Sequence, residues 1–424
     1  MKSPRSLLSL SLFLSALPLC AADWPQFRGP TTDGVSPEKI AKPWTGGAPK
    51  TLWKVPSEGG FSSLVVSGGR AFTLALKESG GAKQESLVAL DANTGKELWF
   101  GALNFPKYDG GGDAGADSNK GGDGPRSTPA VDATRVYTLS SQLLLRAFEA
   151  GTGKVAWSRD LIKEHGGANI QWQNAASPLL EGGLIYVAGG GPDQSILAVD
   201  PKDGAVVWKG FTEKITHATP VAATILGQRQ VIFFLQSGLL SVDPKTGKEL
   251  WRYAFDFKIS TAASPVVSGD VVYCSAGYGV GAGAVKITRS GGQFTASELY
   301  RVRGNKPLAN HWSTPVAKNA SLYGLFQFKQ YGNGPLKCVD VASGTVKWEQ
   351  PGFGPGQVIL VGDQVLVLSD AGELVLVGAD PERYTEIARA QVIGGKCWSS
   401  PSISNGRIYL RSTTEAVCLD VSGK

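Results

Sequence analysis

LVALDANTGKELW, residues 87–99, decides the fold: an alternating apolar strand, a turn carrying Asp91, Thr94 and Gly95, and a second alternating strand finishing on Trp99. Alternation with a period of two is the mark of a half-buried strand, so the segment reads as a hairpin. The same sentence returns as LRAFEAGTGKVAW ending at Trp157, ILAVDPKDGAVVW at Trp208, LLSVDPKTGKELW at Trp251 and LKCVDVASGTVKW at Trp348. The gaps between these tryptophans are 58, 51, 43 and 97 residues, the last holding a degenerate copy that ends near Tyr300. Recurrence at roughly 40–50 residues signals a repeat architecture.

The turn letters have a local explanation. An Asp carboxylate accepts backbone N–H bonds across the turn, and Gly95, Gly204 and Gly247 supply the positive φ of a bulged hairpin. Pro201 and Pro244 preset φ at the second turn position. The Gly-Lys pairs at Gly95, Gly153 and Gly247 are not phosphate loops, because no Ser or Thr follows the lysine and no helix follows the glycine.

A second signature precedes each hairpin: Ser127-Thr128-Pro129, Ala176-Ser177-Pro178, Ala218-Thr219-Pro220, Ala263-Ser264-Pro265, Ser313-Thr314-Pro315 and Ser399-Ser400-Pro401. Proline cannot donate to a ladder and so opens a strand. Each proline begins a run holding two further strands, which makes one unit four antiparallel strands. Units fall at about 56–99, 124–157, 171–208, 215–251, 258–301, 310–348 and 354–388, with an incomplete one at 394–422 that stops at Leu419-Asp420. The 354–388 unit is the weakest copy, offering only Ile387 near the Trp position. At the other end Thr51-Leu52-Trp53-Lys54-Val55 is a final Trp strand with no unit before it. Joining the two gives an eighth blade and closes a ring, which covers sheet faces and edges that an open stack would leave bare. The expected fold is an all-β, eight-bladed β-propeller latched by an N-terminal strand. Trp53, Trp99, Trp157, Trp208, Trp251 and Trp348 are expected to dock blade on blade, each burying about 150–250 Å², worth roughly 4–6 kcal/mol.

The 55 glycines and 18% charged residues suit a turn-rich β-protein. Residues 1–22 read as a signal peptide: Lys2 and Arg5, an apolar run from Leu7 to Leu19 too short to span a bilayer, and a cut near Ala22. Cys20 admits a lipoprotein alternative, although Leu19 stands where a small residue is normally required. Residues 23–47 form an N-terminal arm and 48–424 the propeller. Export places the chain in the periplasm or outside the cell. The formal charge of +6 is too slight to argue for nucleic acid. Cys274, Cys338, Cys397 and Cys418 could pair three ways or stand as small buried residues. No CxxC or CxxCH occurs, so thiolate zinc and covalent haem are unsupported.

The repeats resemble the pyrroloquinoline-quinone (PQQ) repeat superfamily of eight-bladed propellers, whose blades end in an AxDxxTGxxxW form; the resemblance covers residues 48–422. Trp24-Pro25-Gln26-Phe27-Arg28-Gly29-Pro30 followed by Asp33-Gly34 resembles the opening of exported bacterial members of mostly unassigned role. Two better understood relatives diverge. Quinoprotein alcohol dehydrogenases bind PQQ with calcium above the ring, commonly under a disulfide of neighbouring cysteines and with an Asp base; here no cysteines are adjacent. The propeller lipoprotein of the outer-membrane β-barrel assembly machinery carries the repeats without PQQ. The resemblance therefore implies first a non-catalytic envelope scaffold, monomeric and contacting another envelope protein. Its alternatives are a PQQ-dependent alcohol or sugar oxidoreductase, or a small-ligand binder.

The residue three before each proline is expected at one mouth of the central channel: Phe61, Arg126, Ala175, His217, Ala262, Trp312, Pro355 and Trp398, with Asn174, His311 and Lys396 beside them. Aromatic faces and cations suit a planar or anionic ligand. His217 and His311 lack a third residue at metal-ligand spacing, so no metal is expected there. The stretch from Lys107 to Gly124, with Asp109, Asp113, Asp117, Asn119 and Asp123, has no loop-ending Glu and reads as a surface loop rather than a calcium site. GYGVGAGA from Gly277 to Ala284 links two strands and reads as a hairpin loop. The SxxK match at Ser36 to Lys39 lies in the arm and is taken as chance.

Overall fold

The computed structural model describes residues 23–41, 44, 47–106, 124–258, 261–305, 308–326 and 334–423. The expected signal peptide with Cys20, and the acidic stretch Asp109 to Asp123, lie outside these residues. Eight four-stranded antiparallel sheets follow one another, seven of them in simple sequence order. Blade 1 runs Val65–Ser67, Arg70–Ser79, Ala82–Asp91 and Glu97–Asn104. Blades 2 to 7 start their inner strands at Ala130, Leu179, Val221, Val266, Val316 and Gly356. Blade 8 takes Ser402–Ser404, Arg407–Arg411 and Glu415–Asp420 from the C-terminus and Lys50–Pro56 from the N-terminus, with Trp53 opposite Cys418. The ring therefore closes as the orphan Trp strand requires. The degenerate fifth copy is a real blade, with Tyr300 opposite Ala284 in the Trp register. Gly277 to Val280 turn between two of its strands.

In all eight blades the ladder between third and fourth strands shifts register beside the Trp position, and blade 1 shifts a second time between Glu85 and Ser86. The turn behind that bulge is held by its acid: Asp91 Oδ1 accepts from Asn93 N and Thr94 N, both at 2.9 Å, and from Thr94 Oγ1 at 3.0 Å. Asp243 and Asp340 repeat the arrangement. The backbone N–H of Asn93 leads in holding the Asp91 carboxyl below its ordinary range.

The glycine of this turn serves a purpose beyond its φ of about 70°. A Cβ on Gly95, Gly153, Gly204 or Gly247 would stand 2.7, 2.5, 2.6 or 2.6 Å from the six-membered ring of Trp53, Trp99, Trp157 or Trp208, each the final aromatic of the preceding blade. The indoles of Trp53, Trp157, Trp208 and Trp348 then donate to Ala92 O, Pro201 O, Pro244 O and Asp380 O at 2.9–3.0 Å. Trp and Gly are thus two halves of one seam, written in neighbouring repeats. Trp251 differs, because blade 5 lacks the Asp-Gly turn: its indole donates to Gln230 Oε1 at 2.7 Å inside its own blade, while its ring packs with Val272 and Val285 of blade 5. Trp53, Trp157 and Trp251 are buried, whereas Trp99, Trp208 and Trp348 keep a solvent-facing edge.

Inside a blade the Trp lies across a small third-strand residue from a second-strand aromatic: Trp99–Ala89–Phe72, Trp157–Ala147–Tyr137, Trp208–Ala198–Tyr186, Trp348–Cys338–Tyr323 and Trp53–Cys418–Tyr409. Cys338 and Cys418 occupy the slot where other blades use alanine. All four cysteines are buried free thiols, and burial pushes Cys397 and Cys418 up to about 12, which makes them inert packing residues.

The arm has little regular structure of its own, yet it bonds to blade after blade. Trp24 exchanges backbone bonds with Val66 of blade 1, and Pro25 O accepts from Val131 N of blade 2. Gln26 pairs its amide with both backbone groups of Leu180 in blade 3. Thr32 Oγ1 accepts from Ala222 N of blade 4 at 3.1 Å. Val35–Ser36 adds a parallel strand to Leu360–Val361 of blade 7, and Glu38 accepts from Asn405 N and Gly406 N of blade 8. Arg28, 2% exposed, donates to Thr314 O, Pro315 O and Asp33 O at 3.0, 2.7 and 2.7 Å, which anchors blade 6. The arm therefore lies across the channel at the far ends of the inner strands.

Candidate functional site

The near ends of the inner strands carry the small-hydroxyl-proline signature, and its hydroxyls are hydrogen-bonded from blade to blade. Ser400 N donates to Ser63 Oγ at 2.8 Å, Ser63 N to Thr128 Oγ1 at 3.0 Å, Thr128 N to Ser177 Oγ at 2.9 Å and Ser177 N to Thr219 Oγ1 at 3.0 Å. Ser264 N to Thr314 Oγ1, at 3.0 Å, resumes the ring. In blade 7 Gln357 takes over, its amide donating to Trp312 O and Trp398 O at 3.1 Å each. The signature is thus a hoop, interrupted between blades 4 and 5, that fixes most inner strands to their neighbours, which the strand-opening role of proline did not disclose.

Above the hoop lies a cavity of about 240 Å³, with Phe27 of the arm reaching it from below. Of the rim residues expected from the sequence, Phe61, Arg126, Ala175, His217, Ala262, His311, Trp312 and Trp398 line it. Three do not. Asn174 is buried beneath the loops, donating to Ser140 O and Ala176 O. Lys396 turns away to Asp370 at 3.4 Å. Pro355 gives its place to Gln357. Trp172 and Tyr278 were missed: neither falls in a repeat position, since Trp172 lies in the connection before blade 3 and Tyr278 in the GYGVGAGA hairpin loop. Both hold positive φ, 67° and 57°.

The aromatic side chains form two walls. Phe61 meets Trp398 at 5.2 Å and Trp398 meets Trp312 at 4.8 Å. Opposite, Trp172 stacks on Tyr278 at 5.9 Å with 14° between planes, and Tyr278 meets His311 edge-on at 4.8 Å. Arg126 lies 5.7 Å over the Phe61 ring and donates to Trp172 O at 2.9 Å, tying one wall to the other.

Burial is the first cause, and the Arg126 charge the second, that lowers the His217 pKa to about 4. The unfolded chain takes up the proton near 6.5 and the folded protein refuses it until about 4, so His217 makes stability fall as pH drops through that window. The expected result is a loss of about 2–3 kcal/mol between pH 7 and 4.5, at ~1.4 kcal/mol per unit, that His217→Gln does not show. Urea midpoints of both proteins at the two pH values check it, and parallel shifts would refute it.

Among the described residues no carboxylate lines the cavity, and no group of three or more His, Cys, Asp or Glu side chains comes together. Aromatic walls suit a flat ring, but no donor set for the calcium ion that accompanies PQQ is found among the described lining residues, so the pair does not fit them. No helix among the described residues is long and apolar enough to cross a membrane.

Comparison with known proteins agrees with this picture. The family model described as outer membrane protein assembly factor BamB matches residues 83–350. The BamB of Moranella endobia is 24% identical over 277 residues, 61% of this chain and 66% of that protein, so the chain spans just under two thirds of this relative's length. The crystal structure of BamB from Moraxella catarrhalis superposes with a TM-score of 0.59 at 14% identity, covering 88% of this chain and all of that one. The quinohemoprotein alcohol dehydrogenase of Comamonas testosteroni gives 0.65 at 14% identity, covering 95% and 81%. These structural likenesses show the fold alone.

Proposed function

Because this chain belongs to the family of the outer membrane protein assembly factor BamB, we propose that it is a non-catalytic scaffold of the cell envelope that presents its propeller to another protein. One observation carries the reading: six of the ten exposed large apolar side chains among the described residues lie on the outer strands. Leu98, Phe100, Val155, Val206, Val207 and Leu299 are 36–52% exposed, all within two positions of the final aromatic of blades 1, 2, 3 and 5. A fourth strand has an open backbone edge, and apolar side chains beside such an edge suit lateral docking or strand addition by a partner. The repeats do not themselves imply a cofactor. An oxidoreductase using PQQ with calcium is the weaker reading, since no carboxylate among the described lining residues would ligate the ion or serve as base.

The test is co-purification of the tagged protein from envelope extracts, beside a variant carrying Phe100→Asp, Val155→Lys and Val207→Lys. A defined partner retained by the natural sequence and lost by the variant is the expected result. Dye reduction with an alcohol or sugar after loading with PQQ and calcium would overturn the scaffold reading.

A further inference from the structure

The mouth cavity offers more than a scaffold needs. Ser63, Thr128, Ser177 and Thr219 are at most 6% exposed, and all four line it. Each hydroxyl oxygen already accepts a backbone N–H from the preceding blade. Its own O–H has no acceptor among the described residues. The indole N–H of Trp398 is buried in the same wall and likewise finds no acceptor. A buried donor left unmade costs about 1–3 kcal/mol, and here such donors are gathered in one place with no carboxylate among the described lining residues to receive them. Water can meet them, but a ligand oxygen does so while its ring fills the aromatic walls.

We infer that this cavity binds a planar aromatic carboxylate without any metal ion, its oxygens taken by the hydroxyl hoop and Trp398 and its ring held between the Trp312 and Trp172 walls. Donors set the sign of the ligand, and the facing walls set its flatness. At about 240 Å³ the space lies just under the roughly 300–1,000 Å³ usual for small-molecule sites, which selects a ligand of one or two fused rings. This differs from a metal-assisted quinone site in needing acceptor oxygens but no cation.

The probe is 2-naphthoate, titrated calorimetrically into the exported protein with EDTA present. Saturable binding is expected, at least tenfold tighter than that of 2-naphthamide or cyclohexanecarboxylate. Trp312→Ala is expected to weaken it about tenfold, and Trp398→Phe, which keeps the ring but removes the N–H, about three- to tenfold. Unchanged circular dichroism and urea midpoints in both variants separate a lost contact from a lost fold. No binding at millimolar probe, equal binding of the uncharged amide, or binding only after calcium is added would each overturn the inference. Loss of the envelope partner in the outer-strand variant leaves this binding intact, so the two readings fail independently.

Discussion

Trp53→Ala is expected to lower stability by about 3–5 kcal/mol, the range for truncating a buried large aromatic, and to open the ring at one seam. Trp53 is 7% exposed, donates to Ala92 O at 3.0 Å, and stacks on Gly95 of blade 1. It lies on the strand that carries the N-terminus into blade 8, so its loss acts where the two ends of the propeller meet. The same seam can be attacked from the other side. Gly95→Ala places a methyl 2.7 Å from the Trp53 ring at a φ of 72°, adding overlap of about 1–3 kcal/mol to the backbone strain. Gly68→Ala is the control, since its φ is 55° and nothing lies within 4 Å of the added atom; it should cost about 1–2 kcal/mol. Denaturation midpoints rank the three, and hydrogen exchange at Val417 and Leu419 should rise in the first two only. Equal losses at Gly68 and Gly95, or unchanged exchange in Trp53→Ala, would disprove the seam.

Arg28→Met should free the arm. Three carbonyls lose their donor when the guanidinium goes, at about 1–3 kcal/mol each, partly offset because a charge need no longer be buried. The net expectation is a loss of about 2–4 kcal/mol. Burial lowers the Arg28 pKa only to about 10, so the residue is charged at every pH where the protein would be studied, and the effect should not titrate near neutrality. The direct readout is exchange of the Val66, Val131 and Leu360 amides, which bond to Trp24, Pro25 and Gly34. Their protection should fall together while that of Leu240 stays. If those amides remain as protected as before, Arg28 does not hold the arm.

Much of this architecture is legible in the chain because each repeat writes the same local physics. The Asp carboxylate, the turn glycine and the alternating strands act over fewer than a dozen residues, and the orphan strand at Trp53 announces closure by its lack of a preceding unit. What is less legible lies between repeats. That Gly153 is required by Trp99, or that Thr128 accepts from Ser63 N 65 positions away, follows only once neighbouring blades are side by side. The rim was found where it rides on the repeat, as at Phe61, Trp312 and Trp398. It was missed at Trp172 and Tyr278, whose places are fixed by positive φ in connecting loops. Lys396 was misplaced because a nearby acid, Asp370, draws it away from the mouth. The arm was the least readable part, since Gln26 and Thr32 act there as substitutes for strand backbone, a use that no periodicity records.

With the arm lodged against seven inner strands, the ring cannot serve as a conduit from one side to the other. Whatever enters between the aromatic walls meets Phe27 and must leave by the door through which it came. Trp172 and Tyr278, carried by connecting loops, flank that door.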